Sequence, residues 1–173
     1  IKVCGEPVGE KTCALISYLP ERTYFTPSMK VSDVVDYFED FYEDFDKARA
    51  LGLLNDLGID TKASLKTLSK GTKEKVQLIL VMSRQAKLYL LDEPIAGVDP
   101  ATRSAILDVI MNNYADKATV LISTHLINDV ERIFNSVLMI GNGQVKLDAS
   151  IDEITNSGKS VEDIFKEVFS FGW

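Results

Sequence analysis

No apolar run in the 173 residues approaches the ~18 needed to cross a bilayer as a helix, and no signal-peptide pattern is visible. Any attachment to a membrane would have to pass through a partner. Positive charge is also short. Nineteen Lys and Arg stand against 26 Asp and Glu, a formal net charge of −7. A protein whose main partner is nucleic acid needs a basic surface for the phosphates, so no nucleic acid is expected. Only two cysteines occur, Cys4 and Cys13, and nothing demands a disulfide. That usage is neutral to mildly cytosolic. No internal repeat or low-complexity linker divides the chain, and its length fits one domain. The 46% hydrophobic content is enough for a real core. The first residue is Ile1 rather than methionine, already in a strand-like run to Cys4. The sequence therefore reads as a fragment whose true N-terminus lies elsewhere.

What is present is organised around Leu88-Tyr89-Leu90-Leu91-Asp92-Glu93-Pro94. A short continuous apolar run suits a strand buried on both faces of a parallel sheet. Such strands end at a rim where ligands bind. Asp92 is placed to hold a hydrated Mg²⁺, because hard cations take oxygen ligands. Glu93 points elsewhere on the pleat and could take a proton from a water. Pro94 stops the strand. A buried strand with acids at its solvated end is the plainer alternative.

The neighbouring stretches narrow the choice. Leu68-Ser69-Lys70-Gly71-Thr72 precedes the acids and starts a helix. Gly97-Val98-Asp99-Pro100-Ala101-Thr102-Arg103 follows them. Ser123-Thr124-His125 ends another apolar strand. In that order these resemble the signature, Walker B, D-loop and switch histidine of ATP-binding-cassette (ABC) nucleotide-binding domains. The resemblance covers about residues 1–150. The lysine in the signature is similar to that of bacterial exporters of the ABC-2 kind. The family's Leu-Ser-Gly-Gly-Gln is kept here at Leu68, Ser69 and Gly71, with departures at Lys70 and Thr72.

Gly5-Glu6-Pro7-Val8-Gly9-Glu10-Lys11-Thr12 comes near the phosphate-binding pattern G-x-x-x-x-G-K-[ST] and fails it. That loop needs its second glycine next to the lysine, where Glu10 stands and would repel phosphate. Pro7 also removes an amide donor. A turn is expected here, and the P-loop is absent from this sequence. The aromatic residue that usually stacks on adenine is absent too. Ala14 to Leu19 reads as a buried strand closed by Pro20. Glu21 then stands where the family has the glutamine of its Q-loop, a departure that adds charge.

Ser32 to Phe45 is expected as an amphipathic helix, with Val34, Val35, Phe38, Phe41, Tyr42 and Phe45 on one face. Its other face is acidic. With no Asp-x-Asp-x-Asp-Gly loop, that face reads as solvated rather than calcium-binding. A second short helix runs from Asp46 to Leu57, ended by Gly58. Ser69 can cap the helix after it, whose N-terminus offers N–H groups to an anion. Asp99-Pro100 starts another helix, with Ala105, Ile106, Val109 and Ile110 facing inward. Thr119 to Ser123 reads as a strand with the sole histidine, His125, beyond its end. Gly141-Asn142-Gly143 marks a hairpin. Ser160 to Asp163 begins a last helix with a capping-box-like start.

The expected fold is α/β: a P-loop NTPase-type, largely parallel sheet flanked by helices, with an ABC helical subdomain and without the N-terminal P-loop portion. The helical subdomain is expected at about 28–87, the Walker B to switch-histidine core at about 88–150, and an accessory tail at 151–173. The resemblance implies an ATP-binding and ATP-hydrolysing subunit of a transporter, cytoplasmic, at the inner face of the cell membrane. It implies a transmembrane permease and a second nucleotide-binding domain as partners, with ATP and Mg²⁺ as cofactors. Glu93 and His125 would be catalytic and Asp92 the metal ligand. Ser69, Lys70, Gly71, Asp99 and Glu21 would bind nucleotide. The fragment by itself is expected to be inactive. A soluble, non-transport ABC protein and a non-catalytic regulatory fragment are the alternatives.

Overall fold

A computed structural model describes residues 1–169. The last four residues of the expected tail lie outside the described ones. The chain forms two compact units, Ile1–Thr124 and a second beginning at His125.

The first unit opens with a minimal hairpin, β1 (Lys2–Val3) and β2 (Glu6–Pro7), followed by helix α1 (Glu10–Leu15). The stretch that nearly matches a phosphate loop is therefore a turn and a helix start. Thr12 is fully buried, and its Oγ1 donates to Gly9 O at 2.8 Å while accepting from Gly9 N at 2.9 Å. Strand β3 is confined to Ile16–Leu19. The expected strand was two residues longer, but Ala14 and Leu15 complete the turns of α1 instead.

β3, β4 (Leu88–Asp92) and β5 (Thr119–Ser123) make a three-stranded parallel sheet with β4 in the centre. Side chains alternate across it. Ser17, Leu19, Tyr89 and Leu91 are buried. Tyr18, Leu90 and Leu121 share the opposite face by register, and Tyr18 and Leu121 are exposed. The expectation of burial on both faces thus holds for one. The covered face is held to helix α4 (Lys70–Met82) by Ser17 Oγ, which donates to Val81 O at 2.8 Å. Every residue of α4 from Val76 to Met82 is buried. A helix buried all round in its second half, and apolar there except for Gln77, belongs inside a core. Its first half is polar and faces a cleft.

Helix α2 (Val31–Phe41) buries Val34, Val35 and Phe38 as the 3.6 spacing requires. It ends four residues earlier than expected, so Phe41 is exposed and stacks on Tyr37 with centroids 5.5 Å apart. Helix α3 (Lys47–Asp56) is capped by Asp46, which accepts from Arg49 N. Arg84, just beyond α4, ties these elements together. Its guanidinium donates to both oxygens of Asp44 at 2.8 and 3.1 Å, to Ile16 O at 2.6 Å and to Ala14 O at 2.9 Å. It also lies 3.9 Å from the Tyr42 ring centroid. Helix α5 (Pro100–Asn113) turns Ile106, Val109 and Ile110 into the core.

The second unit contains the short helix α6 (Ile127–Val130), then a hairpin of β6 (Ser136–Gly141) and β7 (Gln144–Ser150). Asn142 and Gly143 both have positive φ, 52° and 72°, as a two-residue turn that matches strand twist demands. Helix α7 (Ile151–Asn156) follows, with a reciprocal cap between Ser150 and Glu153. Helix α8 (Val161–Phe169) closes the described chain. Met139, Ile154 and Val161 are the buried centre of this unit.

Candidate functional site

The central strand delivers two acids to one end of the sheet. Asp92 is the last residue of β4 and pairs in register with Ser123 of β5. Ser123 Oγ donates to Asp92 Oδ1 at 2.6 Å, which fixes the carboxylate and leaves Oδ2 for another partner. Glu93 leaves the strand in the left-handed region, φ 48°, a conformation unusual for a residue with a side chain. Glu93 N donates to Ser123 O at 2.9 Å, and Thr124 Oγ1 donates to Glu93 Oε2 at 3.2 Å. The change of backbone direction, more than the pleat, separates the two carboxyl groups. Both are partly buried.

These acids line a cleft of about 560 Å³. Loop residues Pro20 to Thr23, including Glu21, form another part of it. Lys70, Lys73, Glu74 and Gln77 of α4 form the wall, and Pro94, Ala96 and Gly97 complete the rim. Among the predicted residues, Glu21, Lys70, Asp92 and Glu93 are thus brought into one cleft. Lys70 Nζ lies 3.7 Å from Glu74 Oε1. It also sits over Gly97, where a Cβ would be 2.5 Å from it. Burial pushes the Glu74 carboxyl above its ordinary range, with Lys70 opposing.

Ser69 caps α4 by accepting from Thr72 N at 3.1 Å. Gly71 lies in the first turn, and a Cβ there would be 3.3 Å from Thr102 Cγ2. Thr102 in turn gives its amide and hydroxyl to the two oxygens of Asp99, at 3.0 and 2.6 Å. The starts of α4 and α5 therefore abut, and Asp99 is occupied as a cap. The Thr102 hydroxyl, then its amide, hold the Asp99 carboxyl below its ordinary range. His125 is exposed and is the first residue of the second unit.

A metal at the rim fits the oxygens present. Among the described residues no group of three or more His, Cys, Asp or Glu side chains could hold an ion. Mg²⁺ does not ask for one: it commonly takes one or two carboxylates, keeps waters and uses substrate phosphates. Asp92 supplies one carboxylate with its second oxygen unengaged by Ser123. Sequence patterns did not point to Gln77, Glu74 or the Ser123 hydroxyl as parts of the site. The parallel register that sets Ser123 beside Asp92 was the one available signal, once both strands were assigned.

Comparison with known proteins gives the lineage. The family model described as "AAA domain, putative AbiEii toxin, Type IV TA system" matches residues 16–128. The chain is 29% identical over 140 residues to the ABC transporter ATP-binding protein YtrB of Bacillus subtilis, covering 80% of this chain and 48% of the relative. It is 29% identical over 152 residues to an ABC transporter ATP-binding protein, MJ1023, of Methanocaldococcus jannaschii, covering 85% of this chain and 58% of the relative. A solved ATP-binding subunit of an ABC transporter superposes with a TM-score of 0.78 at 24% identity, over 90% of this chain and 68% of that one. The chain spans about half the length of the curated relatives it matches. No helix among the described residues is long and apolar enough to cross a membrane. The chain belongs to this AAA-domain family and, over most of its length, is a homologue of the ATP-binding proteins of ABC transporters.

Proposed function

We propose that the chain is the Walker B, signature and switch portion of an ATP-hydrolysing transporter subunit. The observation that carries this is the pair Asp92 and Glu93 at the end of the central parallel strand, opening with Glu21 and Lys70 on one cleft. Ligands bind at the carboxyl ends of such strands. When bound, Mg²⁺ neutralises charge on the phosphates. Asp92 holds it, oriented by Ser123. Glu93 takes the proton of the attacking water, oriented by Thr124. The water oxygen bonds to the γ-phosphorus as the bond to the β–γ bridging oxygen breaks. His125 contacts the γ-phosphate. Ser69, Lys70 and Gly71 meet the phosphates of ATP held by a second nucleotide-binding domain, and Asp99 stands at that dimer contact. Glu21 accepts a hydrogen bond from water or binds the metal through a carboxylate oxygen, where a glutamine could also donate a hydrogen bond. The subunit works at the cytoplasmic face of the membrane through a permease.

The sequence holds no G-x-x-x-x-G-K-[ST], so the 173-residue chain alone binds Mg-ATP weakly and does not turn it over. The test is a protein completed with a P-loop segment. Glu93→Gln should keep Mg-ATP binding and lower turnover about 10²–10⁴-fold, the range for a positioned base. Near-normal turnover would remove Glu93 from the role.

A further inference from the structure

Helix α4 gains nothing of its own from Gly71. The residue sits in the first turn and outside the left-handed region, so the backbone there would accept alanine. A helix is less stable with glycine than with alanine in such a place. Gly52 of α3 is in the same case, but a Cβ there would face open space. The three atoms nearest to a Cβ on Gly71 all belong to Thr102 of α5: Cγ2 at 3.3 Å, Oγ1 at 3.5 Å and Cβ at 3.8 Å. The glycine is therefore what lets the start of α4 lie against the start of α5.

Thr102 is not free to step aside. It is buried, and two heavy branches on its Cβ make χ1 stiff. Its amide donates to Asp99 Oδ1 at 3.0 Å and its hydroxyl to Asp99 Oδ2 at 2.6 Å. Turning the methyl away from Gly71 would swing the hydroxyl away from Asp99. One side chain thus touches the first turn of α4 with its methyl and the Asp99 carboxylate with its hydroxyl. Close-packed groups pass strain on to their neighbours. Lys70 Nζ over Gly97 is a second contact between the same two segments, but a long flexible side chain yields.

We propose that Thr102 is a positioning residue, which ties the first turn of α4 to Asp99 so that the two move as a unit within one chain. This rests on the reading in which Ser69 and Gly71 meet phosphate and Asp99 stands at the dimer contact. A shift of the first turn on meeting phosphate is then felt at Asp99 through one side chain, without passing through the cleft. Gly71 is needed for its fit to the Thr102 methyl, beside any approach of an anion.

Carboxyl ¹³C titration of Asp99 in the 173-residue chain reads this tie without nucleotide. Gly71→Ala should raise the midpoint toward the ordinary 3.8, because it pushes Thr102 off the carboxylate. Thr102→Ser removes Cγ2 and keeps the hydroxyl. Alone it should leave the midpoint low, and combined with Gly71→Ala it should bring the midpoint back. Thr102→Val keeps the branched shape and loses the hydroxyl, so it should raise the midpoint with Gly71 in place. Gly52→Ala should change nothing at Asp99. In a protein completed with a P-loop segment, Gly71→Ala should slow ATP turnover, and Thr102→Ser added to it should recover about threefold or more, within the range for residues in contact. An unmoved midpoint in Gly71→Ala, or a raised one that Thr102→Ser does not restore, would overturn the proposal. So would unchanged turnover in Gly71→Ala, or a loss that Thr102→Ser leaves whole, as expected of a glycine needed only by the phosphate. Midpoints that move as described, in a chain whose completed form does not hydrolyse ATP, would sink the hydrolytic reading and leave the tie standing.

Discussion

Arg84 should be the most sensitive polar position in the first unit. Its side chain is buried, and it satisfies the Asp44 carboxylate together with two backbone carbonyls of the α1–β3 junction. Arg84→Ala removes all of these at once. Asp44 keeps a charge that is only partly solvated, and Ile16 O and Ala14 O lose their donor. Breaking such a pair from one side costs about 3–5 kcal/mol. That is a large part of the ~5–15 kcal/mol by which domains are stable. Hydrogen exchange at the amides of β3 and α4 reads this unit without the other. At ~1.4 kcal/mol per tenfold, the slowest of these amides should exchange about 10²–10⁴-fold faster. Asp44→Ala in the Arg84→Ala background should cost little more, since its partner is already gone. Acceleration below tenfold would refute the reasoning, and would mean that water reaches the junction and replaces the guanidinium.

Other outcomes follow from single contacts. The Asp99 carboxyl is held below its ordinary 3.8 by the Thr102 hydroxyl and amide. A lowered folded value means that the stabilisation is complete above about 3.8 and is lost as pH falls through the folded value. The Asp99 carboxyl ¹³C titration should have its midpoint below 3.8, and one at or above it would rule out the capping cause. Gly97→Ala places a side chain at φ 73°, which costs about 1–2 kcal/mol. The loss should be similar in a Lys70→Ala background, because a flexible ammonium can move aside; urea midpoints decide this, and a loss confined to the Lys70 protein would contradict it. His125→Ala in a protein completed with a P-loop should slow ATP turnover at unchanged melting temperature. Full turnover would take His125 out of the reaction.

The sheet strands were legible because Leu88–Leu91 and Thr119–Ile122 are apolar runs that stop at polar residues. What a run cannot tell is which face stays open. Tyr18, Leu90 and Leu121 look no different in sequence from Leu19, Tyr89 and Leu91. The caps Ser69 and Asp99 were legible because their side chains act locally on the next turn. The same logic was available at Ser150 and Glu153, yet α7 went unread because β7 runs directly into it. Helix α1 was missed for the opposite reason: Cys13, Ala14 and Leu15 continue smoothly into the apolar run of β3. Phe41 was assigned to a buried face because periodicity says where a helix faces and not where it stops. In the site, the acids were visible from their place after a strand. Gln77 was not, because one amide inside Val76–Met82 carries no pattern; its meaning comes only from the loop and strand end folded opposite.

Glu93 sits where its own backbone would prefer another residue. The left-handed region favours glycine, or asparagine and aspartate, and holding a longer side chain there costs on the order of 1 kcal/mol. Random substitution at this codon therefore meets two opposed slopes. Folding alone rewards drift to glycine, while any chemistry that needs the carboxylate penalises it. In a lineage that had stopped hydrolysing nucleotide, position 93 should be among the first in the cleft to change, and the change should make the protein harder to unfold.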